Sequence, residues 1–181
     1  YEVTGGQIRF HGNRIEKAPT NERAKAGMFL SFQNPLEVSG LSLSSFIRSA
    51  LTQKQGGRIR LWEFKKEGER DLNVGFSGGE KKKSEILQML LLKPSLAILD
   101  ETDSGLDVDA VRTVSQGVKE YQKDGDRGLL IITHSTRILE SLQVDHTHVM
   151  VDGKIVKTGD ASLVEQINRT GFEPFLHDAA D

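Results

Sequence analysis

The stretch that most constrains this chain is residues 96–107, Leu96-Ala97-Ile98-Leu99-Asp100-Glu101-Thr102-Asp103-Ser104-Gly105-Leu106-Asp107. Four apolar residues end abruptly in two adjacent carboxylates, Asp100 and Glu101. A turn-forming Thr-Asp-Ser-Gly follows, then Leu106 and a further acid, Asp107. An uninterrupted apolar run bounded by turn residues suits a strand buried on both faces of a parallel sheet, since a half-solvated strand would alternate with polar residues. In open α/β sheets, ligands bind just beyond the carboxyl ends of the strands. The acids therefore stand where a phosphate-bound metal and an attacking water can be served. The same pattern also fits a strand that simply stops where polar loop begins, with its acids solvated.

Composition narrows the classes. A chain of 181 residues is one domain, long enough to bury a substantial core. A formal net charge of -2 gives no general electrostatic drive toward nucleic acid or an anionic membrane. Hydrophobic residues make up 36% and charged residues 28%, with mean hydropathy of -0.39, as expected of a soluble globular chain. No apolar run approaches the roughly 20 residues that span a bilayer, and no signal peptide is evident, so cytoplasmic is the expected location. Without cysteine, disulfides, thiolate metal sites and thiol redox chemistry are excluded on this chain.

The rest of the sequence supplies partners for the two acids. Residues 1–13 read as two strands joined at Gly5-Gly6, and residues 20–27 as a short helix capped by Thr20. Residues 28–33 form a buried strand closing on Gln33, and Asn34-Pro35 stops it. Residues 42–51 are an amphipathic helix with Leu43, Phe46, Ile47 and Leu51 on one face. Between 55 and 70, Trp62 and Phe64 lie among charges with no clean period. Next comes Asn73-Val74-Gly75-Phe76-Ser77-Gly78-Gly79-Glu80-Lys81-Lys82-Lys83. Its glycines let the backbone approach phosphate oxygens, Ser77 adds a hydroxyl donor, and the following helix aims its N-terminus at the anion. An exposed helix N-terminus is worth only about 0.3–1 kcal/mol toward a charge, so this loop suits a lid closing from a second subunit better than a site of its own. Lys81, Lys82 and Lys83 are expected on a solvated face.

Residues 84–93 continue that helix, burying Ile86, Leu87, Leu90 and Leu91 until Pro94 stops it. Residues 108–123 are helical with Val111, Val114 and Val118 inward, and residues 129–133 form a strand ending at His134. Residues 135–142 are helical, and a hairpin follows, with 146–151 and 154–158 joined by Asp152-Gly153. A short helix over 162–168 leaves 170–181 as a mobile tail.

Five of these stretches, in this order, resemble the ABC-type ATPases. Gln33 is similar to the Q-loop glutamine, Ser77-Gly78-Gly79-Glu80 to the signature loop, and residues 96–101 to the Walker B strand with its glutamate. Residues 104–107 are similar to the D-loop, and His134 to the switch histidine. The resemblance implies an α/β fold of the P-loop NTPase, ABC-ATPase type. That fold has a parallel-sheet core, an antiparallel β part and a helical subdomain, here about residues 35–93, inserted in one domain spanning 1–181. It implies ATP as substrate and Mg²⁺ as its metal. Asp100 and Gln33 would hold the metal, Glu101 would act on the attacking water, and His134 would contact the γ-phosphate. Ser77, Gly78, Gly79, Glu80 and Asp107 would serve nucleotide across a head-to-tail dimer. At rest, Glu101 is expected to pair with a lysine of residues 81–83.

Two features depart from the family pattern. No Gly-x-x-x-x-Gly-Lys-Ser/Thr occurs in the sequence, although that loop normally cradles the phosphates. It is expected upstream of Tyr1, and the chain as given is expected to be inactive without it. The step from Gln33 to Ser77 is also short for a full helical lobe, so residues are expected to be missing near 55–70. Thr102-Asp103 stands where many transporter ATPases have Pro-Thr. With the residues before Ser77, this resembles the branch of the family that serves iron–sulfur cluster assembly in the SUF system. Its implied partners are SufB- and SufD-like scaffold proteins, docking near residues 33–47, with neither nucleic acid nor direct membrane contact. The alternatives are the ATPase subunit of an ABC membrane transporter and a nucleotide-independent binding module.

Overall fold

A computed structural model describes residues 3–55, 69–123 and 125–177. The chain opens with a small hairpin, β1 (Arg9–Phe10) and β2 (Asn13–Arg14), followed by helix α1 (Thr20–Lys25) and strand β3 (Met28–Ser31). Then come β4 (Val38–Ser42), α2 (Leu43–Gln55), β5 (Asp71–Leu72) and α3 (Gly78–Leu92). The centre follows with β6 (Leu96–Asp100), α4 (Val108–Gln122) and β7 (Gly128–Ile132). A 3-10 turn at Arg137–Ser141, the hairpin β8 (Thr147–Val151) and β9 (Lys154–Gly159), and helices α5 (Ala161–Thr170) and α6 (Glu173–His177) complete it.

The apolar run at 96–99 is the middle strand of a parallel sheet ordered β3-β6-β7. In register, Phe29, Ala97 and Leu129 form one row across the sheet, and Ser31, Leu99 and Ile131 another. Ala97 and Leu99 are fully buried in a core shared with Ile86 and Met89 of α3 and Val114, Val118 and Tyr121 of α4. Burying side chains of this size is worth about 1.5–3 kcal/mol each relative to exposure. The two helices come close because Gly117 faces Ile86: a Cβ on that glycine would lie 2.3 Å from Ile86 Cγ2. The Tyr121 hydroxyl lies 3.0 Å from the Pro94 carbonyl and 3.1 Å from that of Gly128, tying the end of α4 to the starts of β6 and β7. The alternate row, Leu30, Ile98 and Leu130, points the other way, and Leu30 and Leu130 are 43% and 47% exposed. The run is thus central in a parallel sheet, but the described residues fully cover only one of its faces.

Two smaller clusters flank this core. Leu43, Ile47 and Leu51 of α2 pack with Leu72, and Leu87, Leu91 and Leu92 of α3 close over them. Beside them β4 and β5 pair antiparallel. Val149, Leu163, Ile167 and Phe175 form the third cluster, under the β8-β9 hairpin.

Several local expectations are corrected. Thr20 is the first residue of α1, and Pro19 holds the cap position without a side-chain bond. The first hairpin turns at His11 and Gly12, both with positive φ, rather than at Gly5-Gly6; two such residues match the twist of the flanking strands. The helix expected over 135–142 is only a 3-10 turn. Part of the expected tail is folded, because Phe175 of α6 is 3% exposed and anchors that helix to Val149 and Leu163. The segment near 55–70 where residues are expected to be missing lies, apart from its margins, outside the described residues.

Candidate active site

At the end of β6 the backbone turns out of the sheet at Glu101, whose φ of 44 lies in the left-handed region. For a residue with a side chain that conformation costs about 1–2 kcal/mol. The turn stays pinned to β7 because the Glu101 N–H donates to the Ile132 carbonyl at 2.8 Å. Gln33 follows β3 and His134 lies just past β7, so the parallel order of the three strands brings their ends side by side. Gln33 Nε2 donates to Glu101 Oε2 at 2.8 Å, and His134 Nδ1 lies 3.2 Å from Glu101 Oε1. Next to them Asp100 is half-buried, and its carboxylate has no hydrogen-bond or ion-pair partner among the described residues. The lysine expected to hold Glu101 does not do so here; glutamine and histidine occupy its carboxylate instead.

Thr102 and Asp103, the pair that departs from the transporter pattern, are buried and join this turn to both neighbouring strands. The Thr102 hydroxyl lies 3.3 Å from Ser31 Oγ at the end of β3. On the other side, Asp103 Oδ1 lies 3.0 Å from Thr133 Oγ1, which also accepts the Ser135 N–H at 2.9 Å. The position of His134 is therefore set by the residues on either side of it.

Beneath the end of β3 lies a polar group that the sequence reading did not single out. Ser31 Oγ donates to Glu85 Oε2 at 2.7 Å, and the Phe32 N–H donates to Glu85 Oε1 at 3.2 Å. Lys82 Nζ donates to the Phe32 carbonyl and lies 3.4 Å from Glu85 Oε2. Burial pushes the Glu85 carboxyl up, against the opposing effects of the Ser31 hydrogen bond and the Lys82 charge. The solvated-face expectation holds for Lys83 but fails for Lys82, which is 4% exposed. Lys81 pairs with Glu37 at 2.7 Å. The signal was present in the helical spacing: residues 82, 85, 86 and 89 share one face of α3, and that face packs inward.

The Ser77 loop is built differently. Ser77 caps α3 in a reciprocal capping box: its Oγ accepts the Glu80 N–H at 3.3 Å, and Glu80 Oε2 accepts the Ser77 N–H at 2.7 Å. Arg70, also unremarked in the sequence, lies 3.3 Å from Glu80 Oε1 and donates to the Gly75 carbonyl at 3.3 Å. Its guanidinium sits 4.1 Å from the centre of the Phe76 ring. The Ser77 backbone bond, then the Ser77 hydroxyl and Arg70, lower the Glu80 carboxyl below its ordinary value. Glu80 is thus committed to the shape of the loop, and what faces outward is the N-terminus of α3 with Gly78 and Gly79. Asp107 caps α4, its Oδ1 accepting the Ala110 N–H at 2.7 Å. None of these partners is Gln33, Glu101 or His134, so the expected site residues fall into two separate groups.

Among the described residues no cluster of three or more His, Cys, Asp or Glu side chains could hold a metal by itself. Mg²⁺ is ordinarily bound through one or two carboxylates together with substrate phosphates and water. An open Asp100 with the Gln33 amide beside Glu101 fits that limited share.

The family model described as ABC transporter matches residues 1–104, more than half the chain. The "Probable ATP-dependent transporter SufC" of Escherichia coli K12 is 41% identical over 190 residues, covering 95% of this chain and 76% of its own length. This chain belongs to the SufC branch of the ABC ATPases. "Probable ATP-dependent transporter slr0075" of Synechocystis is 45% identical over 191 residues, covering 96% of this chain and 74% of its own length. That alignment is longer than the 181-residue chain, so the relative carries residues inside the matched span that this chain lacks. "Vegetative protein 296" of Bacillus subtilis is 40% identical, covering 96% and 72% respectively.

Among solved structures, an ATP-binding subunit of an ABC transporter superposes with a TM-score of 0.73 at 21% identity, over 98% of this chain and 78% of that one. A dimeric ATP-binding cassette in a post-hydrolysis state, bound to ADP and phosphate, gives 0.71 at 15% identity, over 87% and 74%. These establish the ABC-ATPase fold. The chain is an ATPase of that class, and no helix among its described residues is long and apolar enough to cross a membrane.

Proposed function

We propose that this ATPase is the nucleotide-hydrolysing subunit of a cytosolic iron–sulfur cluster assembly complex. Two copies close head to tail on ATP, and the closure moves SufB- and SufD-like scaffold partners docked near residues 33–47. The observation that carries the chemistry is the Glu101 carboxylate held between Gln33 and His134 beside an open Asp100. Phosphoryl transfer needs positioning and charge neutralisation rather than covalent catalysis. Glu101 orients or deprotonates the attacking water, and His134 steadies the γ-phosphate. Asp100 and Gln33 hold Mg²⁺, which when bound neutralises phosphate charge. The N-terminus of α3 in the second copy donates the N–H groups of Gly78 and Gly79 and the Ser77 hydroxyl to the γ-phosphate, while Glu80, which takes the Ser77 N–H, keeps that loop in shape. Asp107 links the two sites across the dimer. The helical part at about 35–93 acts as the moving lobe of a single domain.

The SUF assignment is supported by Thr102-Asp103 and by the likeness to SufC. A chain without cysteine leaves cluster binding to its partners, which accords with the same reading. The test is a pull-down from native cytosol with tagged natural full-length protein, followed by partner identification and iron assay. Cysteine-bearing scaffold proteins containing iron are expected, together with hydrolysis stimulated by them. Recovery of an integral membrane permease would overturn the assembly role in favour of transport, the reading that the word "transporter" in the relatives' names favours.

A further inference from the structure

Helix α3 carries its Ser77 cap at one end and, two turns on, a buried charged pair. Lys82 and Glu85 are 4% and 5% exposed, and neither bonds to Gln33, Glu101 or His134. Their partners are the backbone groups immediately before Gln33. Glu85 accepts the Phe32 N–H at 3.2 Å, and Lys82 donates to the Phe32 carbonyl, which belongs to the same peptide unit as the Gln33 nitrogen. Two successive peptide planes are held from one helix, and the Ser31 hydroxyl adds a third bond to Glu85 at 2.7 Å. Burying an ion pair is costly, and an apolar pair of similar shape would serve packing as well. What an apolar pair could not do is grip the N–H and C=O groups that set the direction in which Gln33 leaves β3.

We propose that Glu85, assisted by Lys82, is a positioning residue for Gln33. Through the Phe32 peptides it presents Gln33 Nε2 to Glu101, 2.8 Å away, and carries movement of the Ser77 loop to that contact. Ser77 and Glu85 ride on one rigid helix with about 1.5 Å of rise per residue, so displacement at the cap displaces the grip. This rests on the reading that Gln33 and Glu101 act together in hydrolysis.

The test uses the natural full-length protein with Glu85→Gln, Gln33→Ala and the double variant. In nucleotide-free protein, amide hydrogen exchange at Phe32 and Gln33 is expected to quicken in Glu85→Gln, with exchange in the core strand β6 unchanged. In hydrolysis, Glu85→Gln is expected to lower kcat about tenfold while KM for ATP stays within about twofold, the pattern of a lost transition-state interaction. The double variant is expected to be no slower than Gln33→Ala, because residues acting through one another are not additive. Losses that multiply, or unchanged exchange at Phe32 and Gln33, overturn the positioning role. A Gln33→Ala protein with wild-type kcat overturns the site reading instead, and the exchange measurement then still decides whether Glu85 holds the strand end. If Glu85→Gln does not fold, Lys82→Met carries the same test with the same split between kcat and KM.

Discussion

The cluster at the sheet's carboxyl end and the loop at Ser77 carry comparable polar side chains and use them in opposite ways. At the sheet's carboxyl end, Gln33 and His134 reach Glu101 from separate strand ends, and the Asp100 carboxylate beside them has no partner among the described residues. The bonds they make are between groups that could each turn toward a ligand. In the loop, Ser77 and Glu80 consume each other's bonding capacity, and Arg70 takes what remains. One region is a set of side chains held ready; the other is a backbone surface shaped by side chains already engaged. The difference suits an ATPase in which one copy supplies chemistry and the other supplies N–H donors.

The comparison breaks most readily at Glu101. Glu101→Gln keeps the shape of the site and removes the base we propose, so kcat should fall by about 10²–10⁴ while ATP affinity is retained. Single-turnover hydrolysis near the wild-type rate would show that the ready side chain is not the reacting one.

Next in size is Ser77→Asp. Aspartate caps a helix as well as serine, so thermal stability should be unchanged. Its negative charge, however, would face phosphate, and ATP-dependent dimerisation on gel filtration should be lost. A dimer that persists would remove the loop from the nucleotide.

Ser77→Ala tests the other half of the contrast. Loss of the cap should cost about 1 kcal/mol in denaturant unfolding, with a smaller effect on hydrolysis than Ser77→Asp. Unchanged stability would mean that the capping box holds nothing.

The smallest effect is in pH. Burial raises the Glu85 carboxyl above its ordinary value of 4.5, whereas hydrogen bonding lowers the exposed Glu80 below the same value. By linkage, the Glu85 contribution to stability is fully present below 4.5 and is lost as pH rises through its raised folded value. The Glu80 contribution is present above 4.5 and is lost as pH falls through its lowered folded value. Unfolding midpoints of Glu85→Gln and Glu80→Gln, each measured against wild type from acid to neutral pH, should therefore diverge with opposite slopes. Parallel slopes would contradict the contrast between a buried and a solvated carboxylate.

Much of this was legible in the sequence, and the reason is local. The apolar run at 96–99 needs burial and finds it as the central strand. Pro94 and the Ser77–Glu80 spacing mark the ends of α3 by chain geometry alone, and Asp152-Gly153 makes its turn with both φ positive. Asp100 and Glu101 stood out because they close an apolar strand, where parallel sheets present ligands; Gln33 and His134 were picked out by the resemblance to the ABC ATPases, and the fold brings both to Glu101.

Only the tertiary structure decided who touches whom. Charge alone places Lys82 in water, yet packing of α3 against β3 buries it beside Glu85 and the Phe32 carbonyl. The same packing gives Glu101 a glutamine and a histidine rather than a lysine. Phe175, unremarkable in a polar tail, becomes an anchor because a distant cluster has room for it. Periodicity and turn chemistry act over a few residues, so the sequence by itself determined the central strands, the long helices α3 and α4 and the two carboxylates that close β6. Burial and the pairing of charges depend on residues far apart in the chain, and those only the folded chain decided.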